Sequence, residues 1–517
     1  GRPDSAGRSG FLACRIRHHV AVLTGQNQFM FSYPTVRASF IFLAIALGGL
    51  LVADIAITTA NPWQDLGRFF LGVATPNFFS TEGLMTALLR TVAFAFVGVT
   101  IGSLAGFLLA LGYRFLPVRI FCAFIRSIHE LFWALIFLQF FGFHPLTGVL
   151  AIAIPYSGIF AKVYSEIFEE SDPEPGRLLP PGTGSVSAFL YARIPDCWEQ
   201  IRTYTSYRLE CGLRSSAILG FVGLPTLGFY LESSFSQGMY SDAGAMLILF
   251  YILIATLPLW VRPKLLPFYI LAAPFFLGDG FPIVWGNVER FFTEDIIPAP
   301  LRDGEGLAGL SAWFGDVMVT EALPGIWNTI VLTQIALVAT GIISLLAFPL
   351  ISNHFGGPVR RTSGHVLLVI ARSTPEYILA YILLQLWGPS MLPAVVALAL
   401  HNGGIIGHLI GRQTNTIRLR PDAPIGFTRY SWELVPRVYR SFLAFLFYRW
   451  EIIMRETAIL GILGIYTLGF YVDSAIQNIR FDRAMVLILI TALLNIGVDA
   501  LGRYIRRKLA LQTMQTC

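Results

Sequence analysis

Charge is scarce in this sequence. Of its 517 residues only 13% are Asp, Glu, Lys or Arg, about half the share found in ordinary soluble chains. A soluble surface of this size could not be solvated by so few charges, which excludes a soluble globular protein. Cysteine is scarce too: Cys14, Cys122, Cys197, Cys211 and Cys517 show no CxxC and no Cys/His spacing. They read as small apolar fillers rather than as metal ligands or a disulfide framework. The chain also lacks a GxxxxGK[ST] phosphate loop, an HExxH pair and a GxSxG elbow. No catalytic constellation appears, so the sequence is not that of an enzyme. Any nucleotide-driven motor must be borrowed from another subunit.

What it has instead is apolar length. Hydrophobic residues make up 55% of the chain and the mean hydropathy is +0.65. They cluster into uncharged runs long enough to cross a bilayer core of roughly 30 Å as helices. The runs lie near 38–57, 84–111, 120–141, 146–168, 199–221 and 242–260, then 265–285, 326–350, 364–387, 392–411, 437–461 and 484–502. The expectation is an all-α integral membrane protein of about 12 transmembrane helices. Arg15, Arg17, His18 and His19 precede the first run, which is long for a signal peptide and lacks a cleavage site. It reads as a retained first helix after a cytoplasmic tail.

The net charge of +6 does not point to nucleic acid, because the Arg residues stand at the ends of apolar runs, where they set topology. With the N-terminus inside, Arg114, Arg119, Arg262, Lys264, Arg360 and Arg361 all fall in the cytoplasm. So do Arg412, Arg418, Arg420, Arg429, Arg437, Arg503, Arg506, Arg507 and Lys508, and both termini. The acidic connection 286–325 falls outside.

Self-similarity is the strongest feature. The stretch YRLECGLRSSAILGFVGLPTLGFY (207–230) matches YRWEIIMRETAILGILGIYTLGFY (448–471) at 14 of 24 positions. RSIHELFWALIFLQFFG (126–142) matches RSTPEYILAYILLQLWG (372–388), so the copies are offset by 241 and 246 residues. A cytoplasmic tail (1–37) would precede repeat 1 (38–264) and repeat 2 (265–517). Each repeat has an even number of helices, which makes the halves parallel and puts a path at their interface. Shared Arg, Glu, Gly and Tyr residues are not what chance similarity between Leu-rich helices supplies.

Charges inside apolar runs need a reason. Arg126 with Glu130, and Arg372 with Glu376, are spaced i,i+4 as pairs on one helix face. They serve either to lock helices or to line an anion path. Arg208, Glu210 and Arg214 recur as Arg449, Glu451 and Arg455. Excess guanidinium there suits an oxyanion, or else anchors the helix near the interface. Gly220, Gly223 and Gly228 recur as Gly461, Gly464 and Gly469 and permit broken helices or close crossings. His401 and Asn402 fall at mid-helix depth, either as path-lining groups or as a hydrogen-bonded core; the first copy has Pro155 and Tyr156 there.

The blocks RSIHELFWALIF, RSTPEYILAYIL, YRLECGLRSSAILGFVG and YRWEIIMRETAILGILG, with the RRKL tail, resemble the permease of phosphonate ABC importers over roughly 84–264 and 322–508. The resemblance implies a type I ABC importer permease fold in the bacterial inner membrane. It also implies two cytoplasmic ATP-binding subunits and a periplasmic substrate-binding protein, the latter docking near 58–83 and 286–325. This chain would bind no cofactor, its partners using ATP and Mg²⁺. Such permeases seat a cytoplasmic loop, marked by a Gly and a Pro thirteen residues later, in the ATPase. Gly182 and Pro195 fit, as does Pro436, but Ala423 replaces the second Gly and neither copy keeps Glu-Ala-Ala. Both halves in one chain imply one chain per transporter. The rival, an ion-coupled secondary transporter of two six-helix halves, would show an Asp-Arg-x-Gly-Arg-Arg loop; 112–119 shows none.

Overall fold

The computed structural model describes residues 33–80, 82–171, 179–180, 182–262 and 264–511. Most of the expected N-terminal tail, with Cys14 and the basic residues beside it, lies outside them, as do Pro181, Pro263 and Cys517. Among the described residues there is no strand. The first helices are α1 (Tyr33–Leu50), α2 (Pro62–Ala74), α3 (Leu84–Leu111), α4 (Leu116–Ser127), α5 (Glu130–Phe141) and α6 (Pro145–Glu170). They continue with α7 (Ile194–Ile218), α8 (Leu227–Ser236), α9 (Tyr240–Trp260), α10 (Leu266–Ala272), α11 (Gly306–Val317) and α12 (Leu323–Ala347). The last are α13 (Pro358–Ser373), α14 (Glu376–Trp387), α15 (Met391–Thr414), α16 (Val435–Ile459), α17 (Leu468–Gln477) and α18 (Phe481–Lys508).

Six of these spans are long and apolar enough to cross a membrane, and up to ten are counted if each of four bent helix pairs is one span. This is an all-α, multi-pass membrane protein. The expected twelve exceed this because two of the apolar runs fold as short helices, Pro34–Leu50 and Leu266–Phe276.

Four helix pairs are bent, two of them within expected single spans (120–141 and 364–387) and two just beyond the ends of expected spans (199–221 and 437–461), and the bends have local causes. The α4–α5 and α13–α14 pairs turn by 88° and 90°. In the first, Ile128 is extended and the His129 side chain accepts from the Leu131 N–H, capping α5. In the second, Pro375 disfavours the helical conformation at Thr374, which is extended. The i,i+4 reading of Arg126–Glu130 and Arg372–Glu376 is therefore corrected. The members of each pair sit on two arms at nearly a right angle, because the helix ends between them.

The α7–α8 and α16–α17 pairs bend by 49° and 43° at the repeated glycines. Gly223 and Gly464 take φ +89° and +88°, where a β-carbon is strained. The new helix starts are satisfied across the bundle: the Leu227 N–H donates to Thr91 Oγ1 on α3 (2.9 Å), and the Leu468 N–H to Thr329 Oγ1 on α12 (3.0 Å).

The same contact is solved differently in each copy. Where α3 meets α6, Gly98, Gly102 and Gly106 on α3 make the space; a β-carbon on Gly102 would lie 3.0 Å from Tyr156 Cβ. Where α12 meets α15, the glycines are on the other partner: Gly403, Gly407 and Gly411 of α15, with a Gly407 β-carbon 3.1 Å from Ala347 Cβ. Small residues four apart let backbones approach in lipid, whichever helix supplies them. The outer helices cross over. The first, α1, binds the second copy through Ser39 Oγ and Tyr439 OH (2.7 Å) and through Gln334 Nε2 donating to the Phe42 carbonyl (3.2 Å). Tyr269, in α10, packs on Phe96 of α3 with ring centres 5.6 Å apart.

Candidate functional site

The right-angle bends of α4–α5 and α13–α14 face each other, and α7 and α16 run past them. Two reciprocal hydrogen bonds join the copies at this seam. Arg214 Nη1 on α7 donates to the Arg372 carbonyl at the end of α13 (3.2 Å), and its counterpart Arg455 Nη1 on α16 donates to the Arg126 carbonyl at the end of α4 (2.9 Å). Each carbonyl belongs to a helix end, where backbone acceptors have no partner within the helix. A guanidinium satisfies them as it complements the negative end of the dipole. Because Arg214 corresponds to Arg455 and Arg126 to Arg372, the contact is the same one made twice with the copies exchanged. A single copy could not make it.

Between these bonds lies a cavity of about 260 Å³. Of the sequence candidates, Arg126, Glu130, Arg208, Arg214, Glu376, His401, Arg449 and Arg455 all line it. Arg372 and Asn402 are outside the lining but bond to residues in it, the Arg372 carbonyl accepting from Arg214 and Asn402 Nδ2 donating to Glu456 Oε2 (3.0 Å). The lining also includes His129, Tyr156, Lys162, Tyr204, Tyr448, Glu456, Asp499 and Arg506, which had not been singled out as path residues. Tyr156 aligns with Asn402, so a search for polar residues at matching positions could have found it. Asp499 and Arg506 lie on α18; Arg506 belongs to the terminal basic cluster read only as topogenic, and Asp499 lies seven residues before Arg506.

Charges in the wall are unequal: Arg126, Lys162, Arg208, Arg214, Arg449, Arg455 and Arg506 oppose Glu130, Glu376, Glu451, Glu456 and Asp499. The balance is uneven in space as well. Arg126 is held by Asp499 Oδ2 (3.1 Å) and Glu451 Oε1 (3.5 Å), both from the second copy. Arg214 is held by Glu210 at 3.6 Å. Among the described residues, Arg208, Arg449 and Arg455 have no carboxylate within ion-pair distance. Arg208 instead donates from Nε to Tyr204 OH (2.8 Å) and lies over the rings of Tyr156, Tyr204 and Tyr207 at 5.4–5.9 Å. Cations without counter-ions at membrane depth are expensive. An anion in the cavity would relieve them, and guanidinium forks match tetrahedral oxyanions.

The loop candidates Gly182, Pro195, Ala423 and Pro436 are not part of this cavity's lining. Gly182 has φ +91°, and Pro195 is the second residue of α7. Pro436 is the second residue of α16, but the left-handed residue of that loop is Gly426, three positions after Ala423. In each loop a π-helical turn leads into the long helix, Phe189–Arg193 in one and Arg429–Leu434 in the other. Large apolar residues are exposed at equivalent positions: Val186 (69%) and Phe427 (80%), and Tyr191 (80%) and Trp432 (59%).

A multi-pass bundle with an internal cationic cavity at a duplicated seam defines a membrane permease, and the comparisons with known proteins agree. A phosphate-import permease of Mycolicibacterium smegmatis is 24% identical over 416 residues, covering 76% of this chain and 77% of its own length. A putative phosphite transport permease of Stutzerimonas stutzeri is 32% identical over 134 residues, covering 26% of this chain and 51% of itself. A second phosphite permease of that organism is 26% identical over 218 residues, 40% of this chain but 78% of its own length. The chain is thus similar to permeases of phosphate and phosphite import systems, in keeping with the family its motifs resemble. No family model and no solved structure matches it.

Proposed function

We propose that this chain is the transmembrane channel of an ATP-dependent importer for phosphonate or a related phosphorus oxyanion, with two permease halves fused in one polypeptide. The halves are six-helix units inserted in parallel, both termini are cytoplasmic, and one chain serves one transporter. The single observation that carries the reading is the reciprocal Arg214–Arg372 and Arg455–Arg126 bonding around a cavity with uncompensated guanidinium groups. An anion route at the seam of two rocking halves needs such groups, and it needs contacts that exchange when the halves move.

Two cytoplasmic ATPase subunits supply the force, and a periplasmic protein delivers the substrate. The exposed Val186 and Tyr191 of one loop, and Phe427 of the other, supply the large apolar anchors that interfaces favour. We expect Tyr191→Ala with Phe427→Ala to weaken ATPase binding by about 10- to 30-fold, as for loss of an interface hot spot of about 2 kcal/mol. Pull-down titration against the ATPase measures this; unchanged affinity would remove the loops from the coupling surface.

The reading as a whole is tested by reconstituting the chain in liposomes with its ATPase and binding protein. Hydrolysis is then measured with phosphate, phosphite, methylphosphonate and a phosphate ester, and with sulfate as the control. Stimulation by at least one phosphorus anion is expected. Stimulation by none of them would end the substrate assignment, and uptake without any ATPase would end the mechanism.

A further inference from the structure

On the second copy's side of the cavity three lone-pair donors converge. His401, on α15, is oriented by a backbone group: Nδ1 lies 2.7 Å from the Thr374 carbonyl oxygen. A carbonyl can only accept, so Nδ1 carries a proton, and Nε2 of the neutral ring presents its lone pair. Glu376 Oε2, from the first turn of α14, is 3.6 Å from that nitrogen, too far for a good hydrogen bond. Glu456, on α16, completes the group; one oxygen of each glutamate and the His401 nitrogen all lie within 4.8 Å of one another. His401 and Glu456 are only 3% and 7% exposed.

The first copy shows what this arrangement lacks. There Pro155 stands for His401, and Ser215 for Glu456. Ser215 Oγ donates to Glu130 Oε1 at 2.5 Å and contacts Tyr156 OH at 3.3 Å. The carboxylate of that copy thus has a hydroxyl donor. In the second copy the hydroxyl is replaced by another acceptor. Asn402 donates to Glu456, but among the described residues no donor lies between Glu456, Glu376 and His401.

We propose that Glu376, His401 and Glu456 form a site for one divalent transition-metal cation, open toward the cavity. Imidazole with two carboxylates is the donor set that Zn²⁺ and its neighbours accept. A histidine that donates its other N–H to a backbone carbonyl is the usual arrangement around such ions. Two ligands each about 2.0–2.2 Å from one ion stand roughly 3–3.5 Å apart, close to the His401–Glu376 separation. A cation held here leaves coordination positions facing Arg449 and Arg455, so an anion in the cavity would lie between metal and guanidinium. The cation site stands independently of the substrate reading; the shared anion rests on it.

The test uses the full purified chain in detergent, stripped with chelator and titrated with Co²⁺ as a spectroscopic probe, then with Zn²⁺. One Co²⁺ per chain, displaced by one Zn²⁺, is the expected result. Glu456→Ser, which installs the first copy's residue, and His401→Gln are each expected to weaken binding by at least about 10- to 100-fold, the size of effect seen even for residues supporting a metal ligand. Gel filtration checks that each variant is folded. Absence of stoichiometric Co²⁺ binding would overturn the site, and so would equal binding by wild type and a folded Glu456→Ser. Repeating the titration with inorganic phosphate separates the two claims: tighter Co²⁺ binding supports the shared anion, and unchanged binding removes it while leaving the cation.

Discussion

Uptake by an Arg455→Ala variant is expected to fall by at least about 10-fold while the protein still reaches the membrane at normal levels. Two losses combine. Nη1 of Arg455 donates to the Arg126 carbonyl across the seam (2.9 Å), and hydrogen bonds from charged groups are worth about 1.5–3 kcal/mol. The cavity also loses one of the guanidinium groups that have no carboxylate within ion-pair distance among the described residues, which lowers its affinity for an anion. Arg455→Lys should fall between wild type and Arg455→Ala, since it keeps the charge but loses the fork. Radiolabelled uptake at matched membrane abundance gives the answer. Wild-type uptake by Arg455→Ala would reduce the arginine cluster to an anchor for the helix ends.

That arginine could be picked from sequence because it recurs beside a recurring glycine pattern; its partner could not. Hydropathy and the repeat between 207–230 and 448–471 were enough to expect an all-α membrane chain. They also brought out eight of the residues that line one cavity. The bends were another matter. An apolar run such as 120–141 carries the same composition whether it is straight or turned through 88°. Only the β-region preference before Pro375 hints at the matching turn in the second copy, and Ile128 gives no such warning. Once the turn is missed, Arg126 looks like a partner for Glu130, although it pairs with Glu451 and Asp499, more than three hundred residues away. The acceptor cluster was hidden for the same reason. Glu376, His401 and Glu456 lie on three different helices, so no spacing rule links them. Likewise, the shift of glycines from α3 to α15 escapes an aligned-repeat reading, because space at a helix crossing is a property of the pair.

The largest structural effect should come from a single methyl group at Gly469. A β-carbon there would sit closer to the Ala458 carbonyl oxygen than van der Waals contact permits, and one at Gly228 would meet Ala217 in the same way. The obstacle is backbone, so no rotamer change relieves it. Either the short turn Leu460–Leu463 must move or α17 must. Overpacking a well-filled core ordinarily costs about 1–3 kcal/mol, and an immovable neighbour puts Gly469→Ala at or above the top of that range. Gly464→Ala is the control. Its φ of +88° strains an alanine, yet nothing lies within 4 Å of the added carbon. The expected cost is therefore only the left-handed backbone term of about 1–2 kcal/mol. Thermal unfolding in detergent should then rank wild type above Gly464→Ala and both above Gly469→Ala, with little folded Gly469→Ala recovered. Equal losses would mean that the bend is set by backbone conformation alone. A greater loss at Gly469 would mean that close approach sets it, through the contact that aims the Arg449–Arg455 face of α16 at the cavity.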